Sequence, residues 1–596
     1  MQGLRVVVMG VAGSGKTTVG SALAERLGAS FVDADSLHSP ASVEKMAAGI
    51  GLTDDDRWPW LARLRATLRA EGSTVVTCSA LKRTYRDMLR HAPGVRFVFL
   101  DVSAAVALER TETREGHFMR SGMLAGQFEA LERPTADETD VLVADGSLPV
   151  QTLVDDLVAR LGTAPSGLDV APLLSDGGVD RVISPAELSA HLHSLVHEQV
   201  LPRGVRRVLL VPPDQTRLHS RAGTITVELL HLLEAEGIEV GVLPALGTHV
   251  AMGDADAHAM FGDAIPASRL LRHDWRDGLH TLGEIGAEEV GVLTCGRFAE
   301  AIPVAVDARL FAGWDLVVSI GQVVPHEVIG MANFTKNIVI GLGGAPTIHR
   351  SHFVGAVAGL ETIMGRVESP VRDVVDAAFD RFLAPLLPVL WVLTVVQDTA
   401  GEMVQRGLHV GTGGTMDTGG AAFRAAAVLA QRTNLTVVPQ PLEKVACWLD
   451  PVEFRSTWLG NKAVYRTRMA IADGGELVVL APGVERFGED PTIDSLIRRH
   501  GYRGTPAALE GVRTDPELAA NLGAAAHLVH GSSEGRFRIV WCTDPANGGL
   551  TREEIESVGY EWRSLPEEMA RLEGPERADW FYVANPAMGL WTSTLV

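Results

Sequence analysis

The stretch GVAGSGKT at residues 10–17 decides the fold of the N-terminal part of this chain. It follows an apolar run, LRVVVM at residues 4–9, and leads into a segment whose apolar residues recur every three or four positions. A strand, a glycine-rich loop and a helix in this order form a phosphate-binding loop. The backbone N–H groups hold the phosphates, the lysine reaches the transferred phosphate, and the threonine supplies a ligand to Mg²⁺. The pattern therefore predicts that ATP and Mg²⁺ are bound by Gly10, Gly13, Gly15, Lys16 and Thr17.

The bulk composition indicates soluble globular domains and excludes some classes of partner. The chain has 596 residues, too many for one hydrophobic core, so we expect three or four domains. A net charge of −21 disfavours binding to nucleic acid or to a membrane surface, which requires clustered Lys and Arg. The longest apolar run, residues 382–396, is short and contains two prolines, so no membrane span is predicted. Four widely spaced cysteines and no visible signal segment indicate the reducing cytoplasm.

The pattern of apolar runs divides the chain into regions. Residues 1–161 alternate β-rich runs with helical patterns, which is typical of a parallel sheet covered by helices. Residues 162–180 are rich in small and helix-breaking residues and are expected to form a linker. Two further α/β domains are expected at residues 181–395 and 396–596, with a ligand-binding cleft between them. The predicted fold class is therefore α/β: a P-loop kinase domain with a parallel sheet, followed by two more α/β domains.

Polar residues after the second predicted strand indicate the substrate of the first domain. The run VDADSLH places Asp33, Asp35 and His38 at the open end of the sheet. A carboxylate there can accept hydrogen bonds from a polyol and take its proton during phosphoryl transfer. Two solvated aspartates in a turn are the alternative explanation.

Nearly the whole of residues 1–161 resembles the gluconokinase family, in the ordered runs DADSLHSPASVEKMAAGIGLTDDDRWPW, CSALKRTYRDMLR, REGHF and QFEALERPTADETDVLV. The resemblance implies phosphorylation of D-gluconate at its terminal hydroxyl by ATP, with Asp35 catalytic and His38 at the sugar acid. It also implies cationic partners for the carboxylate or the phosphates, namely Arg57 and Lys82. Two further arginines would close over the γ-phosphate as part of a lid, or else form surface salt bridges: Arg114 and Arg120.

The second half of the chain contains a lysine and three histidines that no ordinary metal-binding motif explains. They are His249, His326, Lys336 and His352. No HExxH or CxxC pair accompanies them. Each histidine taken alone is more readily explained as a structural residue.

Together with their neighbours, these residues resemble the lactate racemase superfamily, whose members use a nickel-pincer nucleotide. The resemblance includes PPDQTR at residues 212–217, ALGTH at residues 245–249 and the run IPVAVDARLFAGWDLVVSIGQVVPH. It covers residues 170–395 well and the C-terminal portion only loosely. The spacing that matches the family is that of His326, Lys336 and His352.

The resemblance implies a role for each of these residues. Lys336 would hold the cofactor covalently through a thioamide bond, and His352 would complete a square-planar nickel site. His249 and His326 would be acid/base groups on opposite sides of the substrate. An α-hydrogen beside a carboxylate is a poor acid, so the family instead moves it as hydride to the cofactor and back. Two more residues would bind or orient the substrate: Arg217 and Asp214.

Two segments depart from the pattern of the family. Where the family commonly has Gly and Ser before the lysine, this chain reads GMANFTK at residues 330–336, so we expect the cofactor to be seated differently. The run WLGNKAVYRTRM does not align cleanly with the later substrate-binding motif. Its residues are candidates for substrate contacts that suit an acid longer than lactate, with a structural role as the alternative: Trp458, Lys462, Tyr465 and Arg466.

These observations predict a bifunctional sugar-acid enzyme. One part would epimerise an aldonate of the D-gluconate/D-mannonate type at C2, and the other would convert D-gluconate to 6-phosphogluconate. The expected partners are sugar acids, ATP and cofactor-maturation enzymes acting in trans, and a homo-oligomer remains open. The alternatives are that the second part is a 2-hydroxy-acid racemase, dehydratase or oxidoreductase of other specificity, or a sugar-acid-binding module that regulates the kinase.

Overall fold

The computed structural model describes residues 4–48, 50–69, 72–92, 94–112, 121–161, 170–249, 251–294, 296–399, 401–573, 579–586 and 589–593. The chain divides into two units. Unit 1 comprises Met1–Ala171, Gly286–Ala301 and Gly414–Ala421. Unit 2 comprises Pro172–Ile285, Ile302–Gly413 and Ala422–Val596.

The strands and α-helices are numbered in chain order. The strands are β1 Arg5–Met9, β2 Ser30–Asp33, β3 Thr74–Cys78, β4 Val95–Asp101, β5 Val141–Asp145, β6 Leu174–Gly177, β7 Arg207–Val211, β8 Glu239–Val242, β9 Leu279–Ile285, β10 Ile302–Asp307, β11 Leu316–Gln322, β12 Pro325–His326, β13 Gly330–Met331, β14 Val389–Thr399, β15 Glu402–Thr412, β16 Thr436–Val437, β17 Leu442–Trp448, β18 Ile471–Leu480, β19 Arg538–Thr543, β20 Glu561–Ser564, β21 Phe581–Val583 and β22 Trp591–Thr592. The helices are α1 Lys16–Leu27, α2 Pro40–Ala47, α3 Asp54–Arg69, α4 Arg83–Arg90, α5 Ala104–Glu112, α6 Ser121–Glu129, α7 Val150–Leu161, α8 Pro185–Leu195, α9 Ala222–Ala235, α10 Asp254–Phe261, α11 Ala287–Leu293, α12 Thr335–Val339, α13 Ala345–Ala358, α14 Pro370–Ala378, α15 Thr418–Asn434, α16 Thr457–Gly460, α17 Lys462–Thr467, α18 Pro491–His500, α19 Thr505–Thr514, α20 Pro516–Ala520, α21 Leu522–His530, α22 Arg552–Ser557 and α23 Leu565–Glu573.

Unit 1 is built on a parallel sheet with the strand order β2-β3-β1-β4-β5. The central strand β1 is buried along its whole length, as a run of β-branched residues covered on both faces requires. Helices α1 and α7 pack together, and Leu23 and Leu157 join Val6 and Val8 in the core. Helix α1 ends because Gly28 adopts the left-handed conformation, with φ of 61°. Helix α11 packs against α3 within this unit.

Unit 2 contains a larger sheet with the strand order β6-β15-β14-β11-β7-β8. Strands β7, β8, β11 and β14 are parallel, whereas β15 and β6 run antiparallel to their neighbours. The expected domain boundary between residues 395 and 396 falls inside β14, because β14 and β15 pair along their whole length. The expected linker at residues 162–180 also differs, because β6 lies within it and pairs with β15.

A second parallel sheet in unit 2 has the order β20-β19-β18-β17-β21. With the sheet of unit 1, this confirms the predicted α/β class. None of the helices in the described part of the chain combines the length and apolar composition that a membrane span needs.

The larger sheet of unit 2 brings the candidate residues of that unit to one edge. Strand β7 leads into the loop with Asp214 and Arg217, β8 into the loop with His249, and β11 into the short strand with His326. The carboxyl ends of parallel strands lie at the same edge of a sheet, which is where ligands bind in such folds. The topology therefore explains how residues far apart in sequence share one site.

Candidate active sites

The phosphate-binding loop has the backbone that the sequence predicts. Gly10, Gly13 and Gly15 have φ of 145°, 75° and 92°, which side chains other than that of Gly rarely allow. A Cβ atom on Gly13 would also lie 2.3 Å from a backbone oxygen of α5. The Nζ atom of Lys16 donates to the carbonyl of residue 11 at 2.9 Å, at the mouth of the loop. The loop is thus shaped to present N–H groups and a cation to phosphate oxygens.

Thr17 and Asp33 meet beside this loop. The Oγ1 atom of Thr17 donates to Oδ2 of Asp33 at 3.1 Å. A hydroxyl and a carboxylate next to a phosphate-binding loop are oxygen ligands of the kind that Mg²⁺ prefers. The sequence predicts Asp33 at the polyol site, whereas in the structure Asp33 bonds Thr17, the residue expected to bind the metal.

A cavity of about 1350 Å³ extends from the loop and brings together the sugar-acid residues predicted for unit 1. It is lined by Asp35, His38, Arg57 and Lys82. The exposed carboxylate of Asp35 has no hydrogen-bond partner among the described side chains, so it is free to accept a hydroxyl proton. The His38 ring stacks on Trp60 at 4.5 Å, and burial lowers its pKa.

Asp54, which the sequence analysis missed, organises the two cations of this cavity. Its carboxylate accepts hydrogen bonds from Lys82 at 2.7 Å and from the Tyr85 hydroxyl, and it lies 3.6 Å from Arg57. Burial alone would raise the pKa of Asp54, but the bonds from Lys82 and Tyr85 outweigh it and lower the pKa. Two cations facing one carboxylate leave net positive charge for an anionic ligand. The signal in the sequence was the position of Asp54 three residues before Arg57.

The two arginines predicted to form the lid of this cavity, Arg114 and Arg120, lie outside the residues that the structure describes. A neighbouring side chain that the sequence analysis did not single out does reach the loop. The Oε1 atom of Gln127, on α6, accepts a hydrogen bond from the Ala12 N–H at 2.7 Å. Helix α6 therefore supports the phosphate-binding loop directly.

In unit 2, the approach to Lys336 adopts a left-handed turn without glycine. Asn333 and Phe334 have φ of 66° and 60°, a conformation that costs free energy for a bulky residue. The Phe334 ring is buried against Trp391 and Phe423, with centroids 4.7 and 5.0 Å apart. Aromatic packing thus offsets the strain. The run GMANFTK therefore contains a turn whose backbone conformation glycine would favour.

Arg372 on α14 stabilises this turn through hydrogen bonds from its guanidinium group. It is 2% exposed and donates to Thr335 Oγ1 at 3.0 Å, to the Asn333 carbonyl at 3.4 Å and to the Met331 carbonyl. Thr335 in turn donates to Asp376 at 2.5 Å. The position of the lysine that follows is therefore set by a buried polar network rather than by the loop alone.

The amine of Lys336 is suited to covalent chemistry. Burial and the nearby charge of Arg217 lower its pKa to about 8. No described residue forms a hydrogen bond or ion pair with its Nζ atom. A lysine that is partly neutral near physiological pH and has no partner is available as a nucleophile.

His352 on α13 presents a lone pair in the same region. Its Nδ1 atom donates to the Ile348 carbonyl at 2.7 Å, so the neutral ring carries its lone pair on Nε2. Burial lowers the pKa of His352 to about 4, and the ring is neutral at physiological pH. A neutral imidazole whose other nitrogen is held by a carbonyl is the usual arrangement of a metal-binding histidine. The described residues otherwise contain no group of three His, Cys, Asp or Glu that could hold a metal ion.

The two other histidines are held in opposite tautomers. The Nδ1 atom of His249 contacts Oδ2 of Asp214 and must donate to it, which leaves a lone pair on Nε2. The Nδ1 atom of His326 accepts from the Val328 N–H at 3.1 Å, so its neutral ring carries the proton on Nε2. Burial lowers the pKa of His326 well below its ordinary value. One imidazole is therefore set to accept a proton and the other to donate a hydrogen bond.

Arg217 is a half-buried cation with no described hydrogen-bond or ion-pair partner for its guanidinium group. Burial lowers the pKa values of His326, Lys336 and Lys462, and the charge of Arg217 lowers them further, so Arg217 lies among these groups. An unpaired arginine in this position can bind a carboxylate bidentately.

The candidates from the C-terminal part separate into two groups. Lys462, Tyr465 and Arg466 lie on or beside α17, and Arg466 donates to Glu327 at 3.2 Å. Trp458 instead stacks on His527 at 4.1 Å in a buried polar cluster. Two residues that the sequence analysis missed also belong to the region, and they are Glu327 and His530. Glu327 directly follows His326, whereas nothing in the local sequence marks His530.

Comparison with known proteins finds different families in the N-terminal and the middle part of the chain. The family described as Lactate racemase N-terminal domain matches residues 179–362, and the family described as AAA domain matches residues 6–134. The thermoresistant gluconokinase of Escherichia coli (strain K12) is 46% identical over 153 residues, which is 25% of this chain and 87% of that protein.

Two solved structures share the fold of the larger part of the chain. A protein from Thermotoga maritima has a TM-score of 0.58 at 21% identity and covers 70% of this chain and 99% of its own. The lactate racemase apoprotein from Thermoanaerobacterium thermosaccharolyticum has a TM-score of 0.52 at 15% identity and covers 72% of this chain and 96% of its own. The N-terminal part of this chain therefore belongs to the gluconokinase family, and it is joined to α/β domains of the lactate racemase type.

Proposed function

We propose that this chain is a bifunctional sugar-acid enzyme. Its first part phosphorylates D-gluconate with ATP and Mg²⁺, and its second part epimerises an aldonate of the D-gluconate/D-mannonate type at C2 with a nickel-pincer nucleotide. The observation that carries the first activity is the single cavity joining the phosphate-binding loop to Asp35. The second rests on the partnerless amine of Lys336 together with the free Nε2 of His352.

In the kinase reaction, Asp35 accepts the proton of the terminal hydroxyl as its oxygen bonds to the γ-phosphorus and the bond to ADP breaks. Lys16 stabilises the charge on the transferred phosphate, and Thr17 with Asp33 holds Mg²⁺. Arg57 and Lys82 attract the gluconate carboxylate. The relatives named gluconokinase support gluconate as the acid.

The kinase proposal is tested by a coupled assay of ADP release with D-gluconate. Asp35→Asn should lower kcat about 10²- to 10⁴-fold, the range expected for loss of a positioned base. Lys16→Ala should abolish turnover. Turnover of other sugar acids at a rate equal to that of gluconate would contradict the substrate assignment.

The residues of the second site fit the nickel-pincer nucleotide. The amine of Lys336 is available for a covalent link, and Nε2 of His352 offers the nitrogen ligand that a tetragonal nickel site accepts. When bound, the cofactor supplies a reversible acceptor of hydride from C2. The side chains of the protein would carry out the other steps. Nε2 of His249 takes the proton of the C2 hydroxyl and gives it back to the C2 oxygen at the end of the reaction. Nε2–H of His326 donates a hydrogen bond to the substrate, and the guanidinium of Arg217 binds the carboxylate.

An aldonate suits this chain better than lactate does. A kinase for one C2 epimer consumes that epimer and so pulls the epimerisation forward. The product of a lactate racemase has no hydroxyl that a gluconokinase would phosphorylate. The joining of the two parts in one chain therefore supports a sugar acid as the common substrate.

The epimerase is tested by incubating cofactor-loaded protein with D-gluconate in deuterium oxide without ATP. We expect a second aldonate in the NMR spectrum, with protium retained at C2. Lys336→Ala should produce none while its kinase rate is unchanged. A keto acid that accumulates would favour an oxidoreductase, and kinase kinetics altered by an aldonate without inversion would favour a regulatory module.

A further inference from the structure

Glu327 occupies an unusual position for an acidic residue. It follows His326, is 23% exposed, and its Oε2 lies 3.2 Å from Nη2 of Arg466 and 4.0 Å from Nδ1 of His326. Burial would raise the pKa of Glu327, but the neighbouring His326 and Arg466 outweigh this effect and lower the pKa, so the carboxylate is ionised.

The charge of Glu327 acts on the whole site of unit 2. Its electrostatic effect reaches the groups proposed for cofactor attachment and substrate binding, which include Lys336, His352, Lys462 and Tyr465. By comparison, Asp214 is committed to His249. Glu327 therefore places a fixed negative charge among the groups proposed to bind the cofactor and the substrate.

A fixed carboxylate in this position disfavours the binding of a short acid. Lactate carries a carboxylate, one hydroxyl and a methyl group, so it would meet the repulsion of Glu327 and offer no spare donor in return. An aldonate carries hydroxyls on every carbon beyond C2. Each of these can donate a charge-assisted hydrogen bond to a carboxylate, which accepts several at once.

We propose that Glu327 is a specificity-determining residue that accepts hydrogen bonds from the tail hydroxyls of a polyhydroxylated acid and disfavours acids without them. Arg466 holds the carboxylate in place through Oε2, which leaves further lone pairs of the carboxylate for hydroxyl donors. This inference rests on the proposed epimerase function, whose substrate class it explains. A purely structural role, as the ion-pair partner of Arg466, is the alternative that the test must exclude.

The test compares acids whose tails differ in length and number of hydroxyls, namely lactate, glycerate, threonate and D-gluconate, together with D-mannonate, the C2 epimer of D-gluconate. Binding is measured by calorimetry on the full cofactor-loaded chain, and C2 inversion by NMR, for the wild type and for Glu327→Gln. Glu476→Gln, which removes a carboxylate bound by Arg538 and Arg563 elsewhere in unit 2, is the matched control. All variants keep the same kinase part, so a difference between them reports on the substituted residue.

We expect Glu327→Gln to weaken binding of the long acids about 10- to 100-fold, as loss of hydrogen bonds to a charged group does, and to leave lactate unchanged or bound more tightly. A structural role alone would change all acids by the same factor. If the affinity for the long acids relative to that for lactate is the same in the wild type and in Glu327→Gln, the inference is overturned, whether or not the enzyme inverts C2. Absence of inversion in the wild type, with the binding ratios still changed by Glu327→Gln, would instead overturn the proposed reaction and leave the subsite standing.

Discussion

Asp214 holds His249 through a contact of 2.5 Å between its Oδ2 atom and Nδ1 of the imidazole. Burial would raise the pKa of Asp214, but the hydrogen bonds from His249 and Thr216 outweigh it and lower the pKa, so the carboxylate can only accept. His326 has the reverse arrangement, with Nδ1 accepting from a backbone N–H. The two imidazoles thus differ before any substrate binds: His249 can accept a proton at Nε2, and His326 can donate a hydrogen bond from Nε2–H.

Asp214→Asn should therefore impair C2 inversion. An amide can donate to Nδ1 and favour the wrong tautomer of His249, so we expect a loss of about 10- to 100-fold in kcat. Inversion is followed by NMR, and the kinase rate of the same protein serves as an internal reference. Asp515→Asn removes a similar contact to His500 on the surface and should leave inversion intact. Equal rates for the two variants would contradict the role of Asp214.

Lys336 should react with amine reagents at unusually low pH in cofactor-free protein. Its pKa of about 8 means that the amine is protonated below that pH and neutral above it. Acylation should rise steeply between pH 7 and about 8 and level off above it. Peptide mass spectrometry compares its labelling with that of Lys444 on β17. Parallel labelling of both lysines up to pH 10 would show that the amine is not activated.

Asp54→Asn should weaken gluconate binding. Without the carboxylate, Lys82, Arg57 and Tyr85 lose their common partner, and we expect KM for gluconate to rise about tenfold with a smaller change in kcat. Asp56→Asn is the matched control, since Asp56 lies two residues on and bonds Lys45 outside the cavity. A KM that is unchanged in Asp54→Asn, or raised equally in both, would contradict this assignment.

Arg372→Met should destabilise unit 2. The change removes donors to Met331 and Thr335 and breaks the buried ion pair with Asp376, and breaking a buried pair typically costs about 3–5 kcal/mol. Urea unfolding of the full chain measures the effect. Arg432→Met, on the exposed face of α15, should change the free energy of unfolding by less than about 0.5 kcal/mol. Similar effects of the two substitutions would mean that the turn before Lys336 does not need this arginine.

Acid should destabilise unit 1 through Glu138. Burial would raise its pKa, but bidentate bonds from Arg86 and a further bond from Arg90 outweigh it and lower the pKa to about 2. A depressed carboxyl pKa stabilises the folded state above the unfolded value and loses that effect as pH falls from about 4.5 towards 2. Glu138→Gln should remove this part of the pH dependence, as seen by thermal unfolding. Glu129→Gln, which changes an exposed carboxyl group on α6, should keep it.

Short patterns in the sequence were sufficient to predict several features of this protein. The glycine loop was predictable because its backbone conformation and phosphate chemistry depend on adjacent residues, and the α/β class followed from the alternation of apolar runs. The spacing from His326 through Lys336 to His352 is also visible in the sequence, and the roles it indicates for these residues stay predictions. The boundary at residues 395 and 396 was misplaced, because the apolar run in β14 continues into a hairpin that only strand pairing reveals.

The sequence by itself determined which chemical groups this protein has and which strand ends carry them. Only the tertiary structure decided how those groups are protonated and paired. Asp214 sets the tautomer of His249 from 35 residues away, and Arg466 reaches Glu327 across 139 residues. Such contacts depend on which strands lie side by side and on how much water is excluded, and neither is encoded in the neighbouring residues of the chain.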